Sequence, residues 1–263
     1  MNEVISLKEL DIFNSKPLKY NWQLTELIEN LKENQQLSEV ELDYFRSLDV
    51  YDSIHIEGNS LTRTEVTAFL ENGITIHGKP FKDFLECKNY EKALSVLKLN
   101  LNGGFELTEF FIKSLHKLVT SGIIDDESVG KYRKEQVVIR GSSWLPPGWT
   151  EVPENMRKVV QIYNDWDANT ETRFENIIRT MYEFERAHPF IDGNGRTGRL
   201  LMNYLLLRNG YPFMWINSVY RAEYLQSFKS WEQCLTFHAD RMLTMFRVLD
   251  AIRNGSISDL ENI

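Results

Sequence analysis

The sequence predicts an all-α fold, a bundle of about ten helices with one short β-hairpin beside a glycine-rich loop. Three observations support this prediction. Apolar residues recur at helical spacing through most of the 263 residues. Glycine, proline and capping residues interrupt that spacing at intervals typical of helix ends. One short segment, 132–147, is instead rich in β-branched residues and ends in two prolines.

The first half of the chain contains two clear helix starts. Ser38 is followed by Glu41, and Thr62 is followed by Glu65, which are the residue pairs of a capping box. Gly58 and its neighbouring asparagine are typical of a helix end. Helices are therefore predicted over 24–37, from 38 to 57, from 62 onward, after 80 and over 107–119.

Helical periodicity returns in the second half of the chain. Helices are predicted over 153–166, 173–187, 199–207, 221–234 and 239–253, and residues 255–263 are expected to form a frayed tail. Between the two halves, Val137, Val138 and Ile139 precede a Gly-Ser-Ser stretch and a Pro-Pro pair. This order is typical of a small hairpin or an extended flap.

Composition limits the class of protein. Apolar residues make up 42% and aromatic residues 12% of the chain, enough for a substantial core. A formal net charge of −8 argues against a nucleic-acid partner, because binding to a phosphate backbone usually requires a basic surface. The two cysteines, Cys87 and Cys234, are too far apart in sequence to suggest a disulfide framework or a cysteine metal site. No apolar run resembles a signal peptide or a membrane span, so we expect no membrane partner and a cytoplasmic location.

The most informative stretch runs from His188 to Arg199 and reads HPFIDGNGRTGR. A helix is predicted to end at His188, and a new one begins near Arg196 after a glycine-rich loop. Such a loop directs several backbone N–H groups at one point, where the helix dipole adds positive charge, so it favours an anion. Arg196 and Arg199 share a helical face and can hold phosphate oxygens.

Two further residues of this stretch carry chemistry. Asp192 supplies a hard oxygen ligand suited to Mg²⁺, and His188 can take a proton near neutral pH. The glycines at 193, 195 and 198 spell G-x-G-x-x-G, but a helix precedes them and no acidic residue lies about 20 positions later. A dinucleotide-binding fingerprint is therefore excluded.

The whole stretch resembles the signature of the Fic family, H-x-F-x-(D/E)-G-N-G-R-x-x-R, at every defined position. The resemblance extends roughly over 53–231. It implies a Fic-type helical bundle with a β-hairpin flap beside the active site. The implied regions are an N-terminal helical region, 1–105, with an inhibitory motif, a Fic core over 106–254, and the tail 255–263.

The resemblance also implies an activity, the transfer of AMP from ATP to a Ser, Thr or Tyr hydroxyl of an unidentified target protein. His188 would be the general base and Asp192 would hold Mg²⁺. The target would dock at the flap by strand addition. The residues implied to bind ATP are Gly193, Asn194, Gly195, Arg196, Thr197, Gly198 and Arg199 in the loop and helix, Val137, Val138, Ile139 and Arg140 in the flap, and Tyr224 at the adenine.

Residues 53–59 resemble the inhibitory motif of the family, (S/T)-x-x-x-E-(G/N). Ser53 and Glu57 are four residues apart and share a helical face, so Glu57 is expected to form a salt bridge with Arg199. An arginine paired in this way cannot also hold the γ-phosphate. ATP would then bind with its α-phosphate misplaced, which lowers the rate steeply.

Two other functions stay open at this point. One is the reverse reaction, in which Glu57 orients a water that removes AMP from a modified protein. The other is a non-catalytic nucleotide-binding regulator, against which the presence of both His188 and Asp192 argues. A donor nucleotide other than ATP and a homodimer are also left open. The remaining histidines, 55, 77, 116 and 238, are interpreted as structural or surface residues.

Overall fold

The computed structural model describes residues 22–32, 38–96, 101, 104–139 and 144–253. These residues form helices and irregular connections without a strand, which confirms the predicted all-α class. Short 3₁₀ turns lie at Trp149–Glu151 and Ser218–Tyr220. The helices are α1 Trp22–Leu31, α2 Glu39–Ile56, α3 Arg63–Asn72, α4 Phe81–Val96, α5 Glu109–Thr120, α6 Val152–Asn164, α7 Arg173–Ala187, α8 Asn194–Arg208, α9 Arg221–Ser227 and α10 Trp231–Arg253.

Both predicted capping boxes are present. The Ser38 hydroxyl accepts the Glu41 N–H at 3.3 Å, and the Glu41 carboxylate accepts the Ser38 N–H at 2.7 Å. Thr62 and Glu65 repeat the arrangement at the start of α3, at 3.3 and 2.8 Å. Each cap satisfies N–H groups that have no partner inside the helix and stabilises it by about 1 kcal/mol. The caps thus fix where α2 and α3 begin.

Helix α8 lies at the centre of the bundle, against α2, α4, α5 and α7. Every one of its residues from Arg196 to Leu206 is buried. A helix that is surrounded on all sides is expected to be apolar all round, yet two of its buried residues, Arg196 and Arg199, are cations. Buried cations need carboxylates or other acceptors close by, and these come from neighbouring helices.

Helix α2 is attached to the rest of the bundle through Asp52, which is fully buried. Its carboxylate accepts hydrogen bonds from Trp215 Nε1 at 2.8 Å and from the Ser218 N–H and hydroxyl at 3.0 and 2.6 Å. Arg63 Nη2 donates to the same carboxylate at 2.9 Å. Asp52 therefore joins α2 to the connection after α8 and to the first turn of α3.

The two C-terminal helices differ from the prediction. The sequence placed them over 221–234 and 239–253, but the break occurs after Ser227, and α10 is continuous from Trp231 to Arg253. Ser230 explains the position of the break, because its hydroxyl accepts the Gln233 N–H at 3.2 Å and caps α10. Cys234 and Ala239 are both buried, so the apolar face of α10 runs through the predicted gap.

The predicted β-hairpin is not seen in the described part of the flap, 132–139 and 144–147. The polar side chains of Arg133 and Gln136 hold its two ends together instead of a strand ladder. Arg133 Nη2 donates to Pro147 O at 2.6 Å, and Gln136 Nε2 donates to Pro146 O at 3.1 Å. A ladder is not possible at these prolines, because proline has no backbone N–H to donate.

Some predictions fall outside the described residues. These are Arg140 and the serines after it in the flap, the end of the first predicted helix at 33–37, and the tail 255–263. Within the described ranges, no helix combines the length and the apolar character that crossing a bilayer requires.

Candidate active site

The loop that joins α7 to α8 has a fixed shape. His188 ends α7 in the left-handed region, with φ 42°, and its N–H donates to Phe184 O at 3.0 Å. The Asn194 side chain closes the loop, because its amide oxygen accepts the Phe190 N–H and its amide nitrogen donates to Phe190 O, both at 2.9 Å. A left-handed conformation is uncommon for a residue with a side chain and costs free energy, so it is found mainly where surrounding contacts hold it.

His116 of α5 supports this loop from below. Its ring stacks on Phe190, with centroids 3.7 Å apart and planes 6° apart. Its Nδ1 accepts the Gly130 N–H at 3.0 Å, so Nε2 carries the proton and donates to Asp192 O at 3.0 Å. Burial lowers the pKa of His116 to about 4, which keeps the ring neutral. This role could not be inferred from sequence, since His116 lies far from the loop along the chain.

Two glycines lie where other side chains touch the loop. Gly193 has φ 78°, and a Cβ on it would lie 2.6 Å from Thr120 Cγ2. A Cβ on Gly195 would overlap the Glu57 carboxylate and lie 3.1 Å from Arg199 Nη1. The absence of side chains at these positions lets α2 and α5 approach the first turn of α8, where free N–H groups point outward.

Arg199 is buried and hydrogen-bonded to Ser53 of α2 and to Glu57, the residue that follows α2. Its Nε donates to Ser53 Oγ at 2.7 Å, and its Nη2 donates to Ser53 O and to Glu57 Oε1, both at 2.8 Å. Only 1% of the Arg199 side chain is exposed, against 34% for Glu57. Burial alone would lower the pKa of Arg199, but the charge and hydrogen bond of Glu57, together with Tyr224 and Tyr90, outweigh it and raise that pKa above its ordinary value. The Tyr224 ring lies 5.6 Å from the guanidinium carbon.

Arg196 pairs with two carboxylates that do not belong to α2. It lies 3.3 Å from Glu86 Oε1 and 3.3 Å from Asp192 Oδ1. Asp192 also accepts the Gly193 N–H at 2.6 Å and has Lys82 Nζ at 3.5 Å. Burial raises the pKa of Asp192, but the charges of Arg196 and Lys82 more than offset it, so the net shift is downward. Asp192 is therefore an ionised carboxylate, 41% exposed, at the edge of the loop.

His188 lies beside a pocket and is held from behind by Arg133. Arg133 Nε donates to His188 O at 2.8 Å, and its N–H donates to Pro189 O at 2.9 Å. Burial lowers the pKa of His188 to about 4, although the charge of Glu57 acts in the opposite direction. The imidazole is therefore neutral at pH 7 and able to accept a proton. Its Nδ1 is buried without a hydrogen-bond partner among the described residues.

The pocket is lined by six of the sixteen residues that the sequence proposed. Val137 and Val138 do not line it, and 77% of Val138 is exposed. Asn194 and Thr197 are buried, and their side chains bond to backbone carbonyls of the loop. The lining consists of the predicted residues Glu57, Ile139, His188, Gly195, Arg199 and Tyr224, and of Trp144, Glu185, Leu225 and Phe228, which the sequence did not indicate.

Among the described residues, no three His, Cys, Asp or Glu side chains converge on one point where a metal ion could bind. Mg²⁺ does not require such a cluster, since it is often held by one or two carboxylates together with substrate phosphates and water. Asp192 meets this requirement as an ionised and partly exposed carboxylate beside the N-terminus of α8. The residues present therefore fit a magnesium ion that binds together with phosphates.

A glycine-rich loop at the N-terminus of a buried helix, with two arginines and a neutral histidine beside it, is an arrangement suited to holding phosphate groups in a helical protein. Residues 106–206 match the Fic/DOC family. The chain therefore carries a Fic domain and belongs to that family.

Related proteins agree with this assignment. The chain is 33% identical over 187 residues to the protein adenylyltransferase Fic of Drosophila willistoni, which covers 68% of this chain but only 36% of the relative's length. A Fic domain containing signaling protein from Bacteroides thetaiotaomicron superposes with a TM-score of 0.75 at 26% identity, covering 88% of this chain and 97% of that chain. Fic-1 from C. elegans superposes with a TM-score of 0.77 at 26% identity, covering 89% of this chain and 73% of that chain.

Proposed function

We propose that the protein is an auto-inhibited adenylyltransferase, which transfers AMP from ATP to a Ser, Thr or Tyr hydroxyl of a target protein. The observation that carries the proposal is the environment of Arg199. This arginine lies one turn from the N-terminus of α8, where a triphosphate would bind, and it is occupied by Ser53 and Glu57. The name protein adenylyltransferase, borne by the Drosophila relatives, supports the same reaction.

The phosphates would bind at the first turn of α8. The N–H groups of Asn194, Gly195 and Arg196 belong to that turn and have no acceptor within the helix. The Gly193 N–H already donates to Asp192. Three backbone donors at a helix N-terminus, together with the Arg196 and Arg199 side chains, would hold the triphosphate and stabilise the charge that develops during transfer.

His188 would act as the general base. Because its Nδ1 is buried, Nε2 is left to take the proton of the target hydroxyl. The hydroxyl oxygen then forms a bond to the α-phosphorus, and the bond from that phosphorus to the β-phosphate oxygen breaks, which releases pyrophosphate. Asp192 would hold Mg²⁺, which neutralises phosphate charge when it is bound.

The flap and the pocket would complete the site. Ile139 lines the pocket and would border the nucleotide, while Tyr224, buried beside Arg199, would lie against the adenine. Residues 137–140 would pair with the backbone of the target by strand addition. That pairing would supply the ladder that the described residues of the flap do not form by themselves.

Inhibition would follow from competition for Arg199. While Glu57 holds the guanidinium, the γ-phosphate has no ligand there, and the α-phosphate does not face His188 in line with the attacking hydroxyl. Small misplacements of a reacting group lower the rate strongly. Removal of Glu57 should therefore release transfer activity.

The proposal is tested by incubating the protein with α-labelled ATP, Mg²⁺ and a cell lysate. Glu57→Gly should label itself or a lysate protein, and the double variant with His188→Ala should not. ATP binding measured by calorimetry is the control, since loss of the imidazole should leave affinity within a few fold. If Glu57→Gly binds ATP and labels nothing, the transferase proposal is wrong.

One observation favours a second candidate, the removal of AMP from a modified protein. The Glu57 carboxylate lies in the same pocket as His188 and is 34% exposed, so it could accept a proton from a water there. Release of AMP from a modified target by the wild type, and its loss in Glu57→Gly, would favour hydrolysis. Equal release by both proteins would exclude a role for Glu57 in it.

A further inference from the structure

The carboxyl group of Glu185, on α7, is buried beside the candidate base and has no clear structural role. The residue is only 7% exposed, and its Oε1 has no hydrogen-bond partner among the described residues. Its Oε2 lies 4.0 Å from His188 Nδ1, which is also buried without a hydrogen-bond partner in that part of the chain. Buried polar atoms are nearly always hydrogen-bonded, so an unpaired imidazole nitrogen beside a carboxyl group with an unpaired oxygen requires an explanation.

Helix α8 leaves space for this carboxyl group. A Cβ on Gly198 would lie 2.5 Å from Glu185 Oε1 and 3.0 Å from Met181 Sδ. The first distance is shorter than real side-chain contacts allow and the second is tighter than most of them, so any larger residue would push the carboxyl group aside. Gly198 thus performs a task that differs from phosphate binding, because it lets Glu185 lie directly against the helix.

Charged and titratable groups face Glu185 from several elements. Burial and the negative charge of Glu57, just past the end of α2, raise the pKa of its carboxyl, Arg199 on α8 acts in the opposite direction, and the net pKa is about 8. Tyr224 on α9 and Cys234 on α10 also face it.

The ring of His188 is surrounded by a second set of groups. These are Glu57, the Glu185 backbone carbonyl, Arg133 and Asp192. The Glu185 carboxyl group also approaches the ring, with Oε2 4.0 Å from Nδ1.

We propose that Glu185 is a positioning residue for His188, whose Nδ1–H it accepts as a hydrogen bond while Nε2 takes the proton of the target hydroxyl. The proposal rests on the proposed role of His188 as general base. Only the hydroxyl proton moves, from the target oxygen to Nε2, and Glu185 neither gains nor loses one. The carboxyl group fixes the tautomer that leaves Nε2 free, and as a carboxylate it stabilises the imidazolium that forms.

Displacement of Glu57 favours this arrangement. When Glu57 leaves Arg199, the negative charge that opposes ionisation of Glu185 moves away, and Glu185 becomes a better acceptor for His188. The inhibitory glutamate would therefore act on the base as well as on the phosphate ligand.

The test uses the full chain carrying Glu57→Gly, with and without Glu185→Gln. The first readout is the pKa of His188, measured by NMR titration of histidine-labelled protein, with His188→Ala to assign the signal. With Glu57 removed, the proposal requires Glu185 to be ionised beside His188 and to raise the pKa of the imidazole. Glu185→Gln should therefore lower that pKa, because glutamine keeps the shape but cannot carry the negative charge. This readout does not require any transfer activity, so it remains valid if the proposed function is wrong.

The second readout is kinetic. Glu185→Gln should lower kcat at least about tenfold and leave the KM for ATP within about twofold, since the interaction forms with the base and not with the nucleotide. Gly198→Ala, which displaces the carboxyl group without removing it, should lower the His188 pKa in the same direction. Glu183→Gln, which removes an equal charge from the same helix, is the matched control and should change neither quantity.

Two results would overturn the proposal. One is a His188 pKa that is the same in Glu185→Gln and in its parent. The other is a higher KM with an unchanged kcat, which would make Glu185 a nucleotide contact instead.

Discussion

Replacement of Glu57 by glycine should strengthen the binding of ATP, and the structure indicates by how much. Before the γ-phosphate can bind, the bond from Arg199 Nη2 to Glu57 Oε1, 2.8 Å long, must break. A hydrogen bond between charged groups contributes about 1.5–3 kcal/mol net. Because 34% of the Glu57 side chain is exposed and solvent screens it, the lower part of that range applies, about 1.5–2 kcal/mol.

Since about 1.4 kcal/mol corresponds to a factor of ten, Glu57→Gly should bind ATP about 10 to 30 times more tightly than the wild type. Glu57→Gln is the matched variant. Its neutral amide can still accept a hydrogen bond from Arg199, which is worth about 1 kcal/mol, so its affinity should fall between the two. In both variants Ser53 keeps its two bonds to Arg199, so the guanidinium should stay in place.

The assay is calorimetric titration with ATP and Mg²⁺ at two salt concentrations, followed by the initial rate of label transfer. The difference between wild type and Glu57→Gly should shrink at high salt, because a partly exposed ion pair is screened. If Glu57→Gly is folded but binds ATP no more tightly than the wild type, Glu57 does not compete for Arg199. If Glu57→Gln matches the glycine variant, the negative charge alone, without the hydrogen bond, accounts for the inhibition.

Three further predictions concern the loop. In Glu57→Gly, the transfer rate at pH 6 should stay within about twofold of the rate at pH 7, because burial keeps the pKa of His188 near 4. A rate that falls to half near pH 6.5, the ordinary pKa of histidine, would contradict this. Asp192→Asn should raise the Mg²⁺ concentration needed for half-maximal transfer, and an unchanged requirement would exclude it as the ligand. Gly193→Ala should lower the free energy of unfolding by about 1–2 kcal/mol, because alanine is strained at φ 78°. Any further loss of stability in Gly193→Ala would come from the clash with the Thr120 methyl group. Adding Thr120→Ser removes that methyl group and should restore only this further part, as measured by chemical denaturation.

The fold could be predicted largely because its signals are local. Helix α2 begins at Ser38 and α3 follows Thr62, since capping depends on residues three positions apart in the chain. The break before α10 was placed wrongly because its cause, the single hydroxyl of Ser230, leaves no trace in apolar periodicity. The described residues of the flap form no strand, since β-branched residues indicate a strand but do not supply a partner for it.

The site divides in the same way. The loop from His188 to Arg199 is continuous in sequence, so its chemistry could be inferred from spacing. Residues that act on the loop from other helices could not, and His116 under the loop and Glu86 beside Arg196 are examples. The contacts of a single histidine or glutamate in a helix cannot be predicted from the sequence, because tertiary packing determines them.

The anchoring of Asp52 decides which motion can release Arg199 from Glu57. Moving α2 away as a body would break four hydrogen bonds to Asp52, a rearrangement of the kind that takes microseconds to milliseconds. Glu57 lies just past the last residue of α2, before Gly58, and its partly exposed side chain can change rotamer in nanoseconds. Nucleotide and carboxylate would therefore exchange on Arg199 rapidly, and transfer should begin without a lag when ATP is added.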